Sequence, residues 1–115
     1  MGLLTAPEGQ ISRRRTNITF NMTCQWKIEV VENMRVGLHF SSIDIPGCSQ
    51  CSCGQLNIYD GSNTSTPMIE SICGNHHGDI ASSGNTLFLY YEAVENQGYS
   101  GFMIQYYTTD GKTCI

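Results

Sequence analysis

Five stretches of this 115-residue chain alternate apolar and polar residues one by one, and that period limits the fold more than any other feature. Trp26, Ile28 and Val30 alternate with Lys27 and Glu29. Met34, Val36, Leu38 and Phe40 alternate with Arg35, Gly37 and His39, and Leu56 and Ile58 with Asn57 and Tyr59. Leu87, Leu89 and Tyr91 interleave with Phe88, Tyr90 and Glu92, as do Phe102, Ile104 and Tyr106 with Met103, Gln105 and Tyr107. A pleated strand sends successive side chains to opposite faces, so each run is suited to a strand with one buried face. No stretch keeps an apolar i, i+3, i+4, i+7 spacing, so essentially no helix is predicted. Turn residues punctuate the runs at Glu32-Asn33, Asp60-Gly61-Ser62-Asn63, Ser83-Gly84-Asn85 and Asn96-Gln97-Gly98. Many short strands with regular turns predict an antiparallel sandwich or barrel. Two connections are longer: residues 43–54, with three cysteines, and residues 74–79, with His76 and His77.

The six cysteines narrow the setting. Disulfides persist outside the cytosol, and so high a density in so short a chain points there. Three acceptor sequons agree, at Asn17-Ile18-Thr19, Asn21-Met22-Thr23 and Asn63-Thr64-Ser65, and predict a secreted or cell-surface glycoprotein. The net charge of −4 argues against a nucleic-acid partner. No apolar run approaches the ~20 residues of a membrane-spanning helix. The first fifteen residues end in Arg13-Arg14-Arg15 and do not read as a signal peptide, so the chain is expected to be a piece of a longer precursor. One domain over residues 1–115 is expected, without repeat or linker.

In order along the chain, several segments resemble the CUB domain, an extracellular β-sandwich module. They are Leu4-Thr5-Ala6-Pro7-Glu8-Gly9 with Ile11, Cys24-x-Trp26-x-Ile28, and Leu38-x-Phe40 followed by Ile43-Asp44-Ile45. Leu56-x-Ile58-Tyr59-Asp60-Gly61 is the most specific, and Ile72-Cys73-Gly74 follows it. Ser82-Ser83-Gly84-Asn85-x-Leu87-x-Leu89 and Gly101-Phe102-x-Ile104-x-Tyr106 complete the series. The resemblance implies a disulfide-linked jelly-roll of two antiparallel sheets, with the sandwich over about 3–107 and a connector over 108–115. Trp26 is then expected as a large buried anchor whose indole N–H needs a partner. Gly74 and Gly101 are expected where backbone approaches backbone.

The family's first cysteine would lie just before Met1 and pair with Cys24; here it is absent. The resemblance implies a Cys51–Cys73 bridge, with Cys48–Cys53 and Cys24–Cys114 as the pairs tried next. Among six cysteines 15 connectivities are open. Many family members bind calcium through a Glu and two Asp. Carried over, those positions fall on Pro46, Gly54 and Val94, none with a side-chain oxygen, so that site is expected to be missing. Asp44, Glu92 and Glu95 are the substitute carboxylates, with ordinary solvated acids the preferred reading. Zinc on Cys48-x-x-Cys51-x-Cys53 is weighed against disulfides and set below them.

Catalysis finds no motif: no G-x-S-x-G elbow, no H-E-x-x-H helix and no phosphate-cradling loop. No catalytic residue and no cofactor are assigned. His39, His76 and His77 read as exposed polar residues, and Arg13-Arg14-Arg15 as a solvated turn ahead of a patch for acidic glycans or a processing site. Sugars on Asn17 and Asn21 are expected to shield one flank. Recognition is then expected on loops 43–54 and 93–100, with Asp44, Ile45, Glu95, Asn96 and Tyr99 as candidates. Tyr59, Phe88, Tyr90 and Tyr107 read either as an outer aromatic patch or as cross-strand packing. The expected function is non-catalytic binding of an extracellular protein or of neighbouring modules. A carbohydrate-binding module and a ligand-free spacer are the alternatives.

Overall fold

The computed structural model describes residues 2–46, 48–74 and 78–110. Among the described residues nine strands form two sheets. One has the order β1 (Gly2–Leu4), β3 (Met22–Glu29), β8 (Thr86–Ala93), β5 (Gly54–Tyr59), β6 (Met68–Ile72). The other has the order β2 (Glu8–Asn17), β9 (Tyr99–Thr109), β4 (Arg35–Asp44), β7 (Ile80–Ala81). No helix occurs among the described residues, and the architecture is the expected jelly-roll sandwich. One pair departs from antiparallel: β1 runs parallel to β3, with Gly2 beside Trp26. The chain visits the other sheet through β2 before it returns, so no hairpin constrains that pair.

The alternation seen in the sequence becomes the core. Ile28, Val36, Leu38, Leu56, Ile58, Leu87, Leu89 and Ile104 have no measurable exposure. Each such side chain contributes about 1.5–3 kcal/mol by leaving water. The phase of β4 changes once. Phe40 and Ile43 both face inward because a bulge between Phe40 and Ser42 inserts a residue. Phe102 links the layers, meeting Trp26 edge-on at 5.7 Å and Tyr91 at 5.0 Å between centroids. Trp26 is only partly buried, against expectation; the largest fully buried side chain is Tyr91, whose hydroxyl lies 2.5 Å from Ser100 Oγ. A strand near the edge of its sheet leaves the indole half uncovered, whereas β8 lies at the centre.

Polar motif residues tie the sheets and turns together. Asp60 accepts from the Ser83 amide at 2.9 Å and from its hydroxyl. The buried Ser82 hydroxyl accepts from Val36 N at 2.8 Å and donates to Gly84 O at 2.6 Å. Asn85 Nδ2 donates to Val30 O at 2.9 Å. β9 continues to Thr109, so Thr108 belongs to the strand and not to a connector; its hydroxyl donates to Pro7 O at 2.5 Å. Two disulfides are present among the described residues, Cys51–Cys73 and Cys48–Cys53. Cys24 is unbridged among the described residues; Cys114, like His76 and His77, lies outside them.

Candidate binding surface

Strand ends place most of the candidate residues at one end of the sandwich. β2 and β4 finish there, β5 and β9 begin there, and Asn17 stands opposite Tyr99 while Asp44 stands opposite Gly101. The loops at this end bind one another. Ile18 N donates to Gly98 O and Asn96 N to Ile18 O, both at 3.0 Å, and Glu95 N donates to Asn21 Oδ1 at 2.9 Å. Gln97 Oε1 lies 3.1 Å from Cys53 Sγ. Asn96 adopts φ 62°, the left-handed region that asparagine tolerates.

The candidates therefore separate. Ile45 is a core residue, 1% exposed, because it pairs with Gly74 and turns its side chain inward; it offers no binding surface. Asp44 and Tyr99 are strand termini and not loop residues. Asn17, Asn21 and Asn63 are all exposed. The first two border the 94–98 loop, so the flank expected to be shielded and the loop expected to bind are the same place. Asn63 caps its own turn, accepting from Ser65 N at 2.8 Å through Oδ1 and leaving its amide nitrogen outward.

Arg13, Arg14 and Arg15 lie in β2, where a turn was expected. Arg13 pairs with Phe102 and Thr16 with Ser100, so a bulge separates them. Gly101 is the reason: a Cβ there would stand 2.5 Å from Arg15 Cα. This close approach matches the expectation for Gly101. Gly74 has open space where its Cβ would be, and its glycine instead serves a φ of 74°. The bulge sends the arginines apart. Arg13 turns between the sheets and reaches Met22 Sδ at 3.1 Å, leaving its Nε buried without an acceptor. Arg15 lies over the Tyr99 ring at 4.8 Å and pairs with Asp44 across the bare backbone of Gly101.

The outer face of the four-stranded sheet is thereby open and populated. Along its centre run Tyr99, Met103 and Tyr107, exposed by 51%, 38% and 36%. A groove of about 520 Å³ borders them at the arginine end, lined by Ser12, Arg14, Ser42 and Met103 among others. A second of about 570 Å³ lies at the opposite end, between Glu8, Gln10, His39 and Gln105. Asp79 Oδ1 meets His39 Nδ1 at 3.0 Å there, and the Tyr107 hydroxyl donates to Asp79 Oδ2 at 3.5 Å. Burial, with Asp79 beside it, pushes the Tyr107 hydroxyl above its ordinary value. The expected aromatic patch is split, since Tyr107 belongs to this sheet. Tyr59 and Phe88 stand 6.3 Å apart on the other sheet's outer face, next to the Tyr90 row, all partly covered by neighbours. Met103 was not singled out from sequence; its outward place in the alternation was the available signal.

Calcium does not fit the position the family would use. Gly54 has φ 147°, and a side chain there would press on Ile45 Cγ2 at 3.3 Å and Glu92 O at 3.1 Å. Pro46 and Val94 bring no side-chain oxygen. The substitutes are dispersed: Asp44 is paired with Arg15, Glu92 accepts from Gln55 Nε2 at 3.4 Å, and Glu95 belongs to the loop held by Asn21. Among the described residues no three His, Cys, Asp or Glu side chains gather closely enough to hold a metal ion.

The strand order and the two disulfides at one end define a two-sheet jelly-roll sandwich. The sequence pattern of the CUB domain matches residues 3–106, and the chain belongs to the CUB domain family. It is 36% identical over 106 residues to the exoskeleton protein RP43 of Riftia pachyptila, covering 91% of this chain and 25% of that protein. It is 33% identical over 99 residues to the cubilin homolog of Drosophila melanogaster, covering 84% of this chain and 2% of that protein. The chain thus spans a quarter or less of these relatives. Among solved structures, the CUB1-EGF-CUB2 domains of rat MASP-1 superpose with TM-score 0.79 at 16% identity, over 96% of this chain and 43% of that one. The MASP-1 CUB2 domain bound to Ca2+ superposes with TM-score 0.76 at 19% identity, over 92% of this chain and 96% of that one. CUB domains are non-catalytic modules of extracellular proteins that mediate protein–protein interaction, and this domain is extracellular.

Proposed function

We propose that this domain is a non-catalytic recognition module that binds another extracellular protein, or a neighbouring module of its own, through the outer face of β2, β9 and β4. The exposed row Tyr99–Met103–Tyr107 carries the reading. Tyrosine, methionine and arginine are enriched at protein interfaces, and here the Arg15–Asp44 pair holds the row's first ring in place. The sandwich acts as one unit over about 3–107, without cofactor and with N-linked sugars on Asn17, Asn21 and Asn63. Sugars on the first two restrict approach over the 94–98 loop and favour approach over the sheet face.

The test uses the domain as bait against a panel of purified extracellular proteins, in parallel with Met103→Glu and with Tyr90→Ala on the other sheet. The expected result is at least a tenfold loss of binding for Met103→Glu and none for Tyr90→Ala. Loss with Tyr90→Ala alone would move the site to the five-stranded sheet and overturn the proposal.

A further inference from the structure

The two disulfides interleave, because Cys51 of one lies between Cys48 and Cys53 of the other, yet their surroundings differ. Cys51–Cys73 spans a separation of 22 residues; both cysteines are half-buried, and Cys73 packs against the core. Cys48–Cys53 spans a separation of 5, with Cys53 only 7% exposed and Cys48 at the surface. A short closed loop constrains the unfolded chain less than a long one, so folding protects the Cys48–Cys53 bridge less against opening. A thiolate arriving from solvent meets Cys48, whereas Cys53 is covered.

The backbone at this bridge is held in a costly shape. Cys48, Gln50 and Cys51 have φ of 51°, 54° and 60°, so three residues with side chains occupy the left-handed region within four positions. Such conformations persist only where the surroundings impose them. Outside the strand ladders two turn bonds hold the described part of this loop, Ser52 N to Ser49 O at 3.1 Å and Gly54 N to Cys51 O at 3.3 Å. The bridge is therefore a principal constraint on Cys48 and Gln50, and opening it lets both return to ordinary φ. Cys51 stays tied to Cys73.

A third observation concerns the sulfur that would leave. Gln97 Oε1 lies 3.1 Å from Cys53 Sγ and 4.0 Å from Cys48 Sγ. Neither sulfur of a closed bridge carries a hydrogen, so this carbonyl finds no donor there. In the open form the Cys53 thiol donates to it. With the amide turned over, Nε2 donates to the departing thiolate instead. Both orientations favour the open bridge over the closed one.

We propose that Cys48–Cys53 is a thiol-exchange site, opened by a small extracellular thiol of the glutathione class while Cys51–Cys73 stays closed. The thiolate attacks Cys48 Sγ and forms a mixed disulfide there. The S–S bond breaks, and its electron pair passes to Cys53 Sγ, which takes a proton from water. A second thiolate removes the adduct as the small disulfide and leaves Cys48 as a thiol. Cys51–Cys73 still joins the start of β5 to the end of β6, so the sandwich stays folded. The released loop loses its fixed contact with Gln97 and the 94–98 loop.

Glutathione buffers of graded reduced-to-oxidised ratio test this on the folded domain, with alkylation as the quench and mass-spectrometric peptide mapping to read each cysteine separately. Cys48–Cys53 should open at a ratio more oxidising by about tenfold or more than the one that opens Cys51–Cys73. The first glutathione adduct should sit on Cys48, with the β-sheet circular dichroism unchanged. Gln97→Leu removes the amide and should demand a ratio more reducing by about twofold or more for Cys48–Cys53, with no change for Cys51–Cys73. Opening of Cys51–Cys73 first or at the same ratio, a first adduct on Cys53, loss of the sheet spectrum when Cys48–Cys53 opens, or indifference to Gln97→Leu each overturns the proposal.

Discussion

Replacing Tyr91 by phenylalanine isolates the most deeply placed polar contact in the domain. The Tyr91 ring has no exposure, Ser100 is 2% exposed, and their oxygens lie 2.5 Å apart. In Tyr91→Phe the ring packing against Phe102 survives, but the Ser100 hydroxyl is left buried without its partner. A stranded hydroxyl costs about 1–3 kcal/mol. Ser100→Ala strands the phenol instead, at a similar cost. Replacing both partners removes the pair and strands neither, which is nearly neutral. The double variant should therefore be more stable than the sum of the single losses by about 2 kcal/mol or more, a coupling that a double-mutant cycle reads directly. Urea unfolding with the disulfides intact supplies the three differences, provided the slopes stay equal. In heat, each single variant should melt roughly 4–10 °C lower. Single variants within 0.5 kcal/mol of wild type, or a strictly additive double variant, would refute the reasoning.

The same pair predicts alkaline behaviour: burial first, then the nearby Cys24, raises the Tyr91 phenol, while Ser100 and Arg13 pull the other way. The folded state holds that proton more tightly, so its stabilising share is complete below about pH 10 and disappears as pH rises through the folded value. Melting temperature should fall above that pH, less steeply in Tyr91→Phe, with a residual slope from Tyr106 and Tyr107, which are also raised. Gly101→Ala puts a methyl 2.5 Å from Arg15 Cα, backbone that cannot rotate aside. It should cost about 1–3 kcal/mol and shift the Tyr99 and Asp44 signals in an NMR spectrum. Removing Cys51–Cys73, which closes a separation of 22 residues, should cost about 3 kcal/mol in urea, and Cys48–Cys53 about 2; the interleaved loops make the two losses non-additive. Millimolar calcium should leave the melting temperature unchanged; a specific rise would show that a site has been built from other oxygens.

The fold was legible because its code is redundant. Each strand repeats the same two-residue period, and a slip by one residue would expose Leu38 or Leu89 and bury Lys27 or Glu92. Single exceptions stayed hidden in it. The bulge between Phe40 and Ser42 changes the phase of β4 without any glycine or proline to announce it. Trp26 carried a size argument for burial, but burial depends on its place in the sheet order, which no local pattern states. Arg13-Arg14-Arg15 read as a turn because charged runs usually do. Only the pairing of Arg13 with Phe102 and Thr16 with Ser100 makes them a bulged strand.

The residues most recognisable in the sequence turn out to be ties of the frame. Asp60 holds Ser83, Ser82 holds Val36, and Asn85 holds Val30. Such positions have one residue type that fits both backbone and partner, so they leave a pattern. Met103, Arg14 and Glu8 face water, and many residue types would leave the frame equally stable there. A residue that serves a partner leaves no period in the chain. Gly101 belongs to both groups. Its missing side chain permits the β2 bulge and opens the path from Arg15 to Asp44.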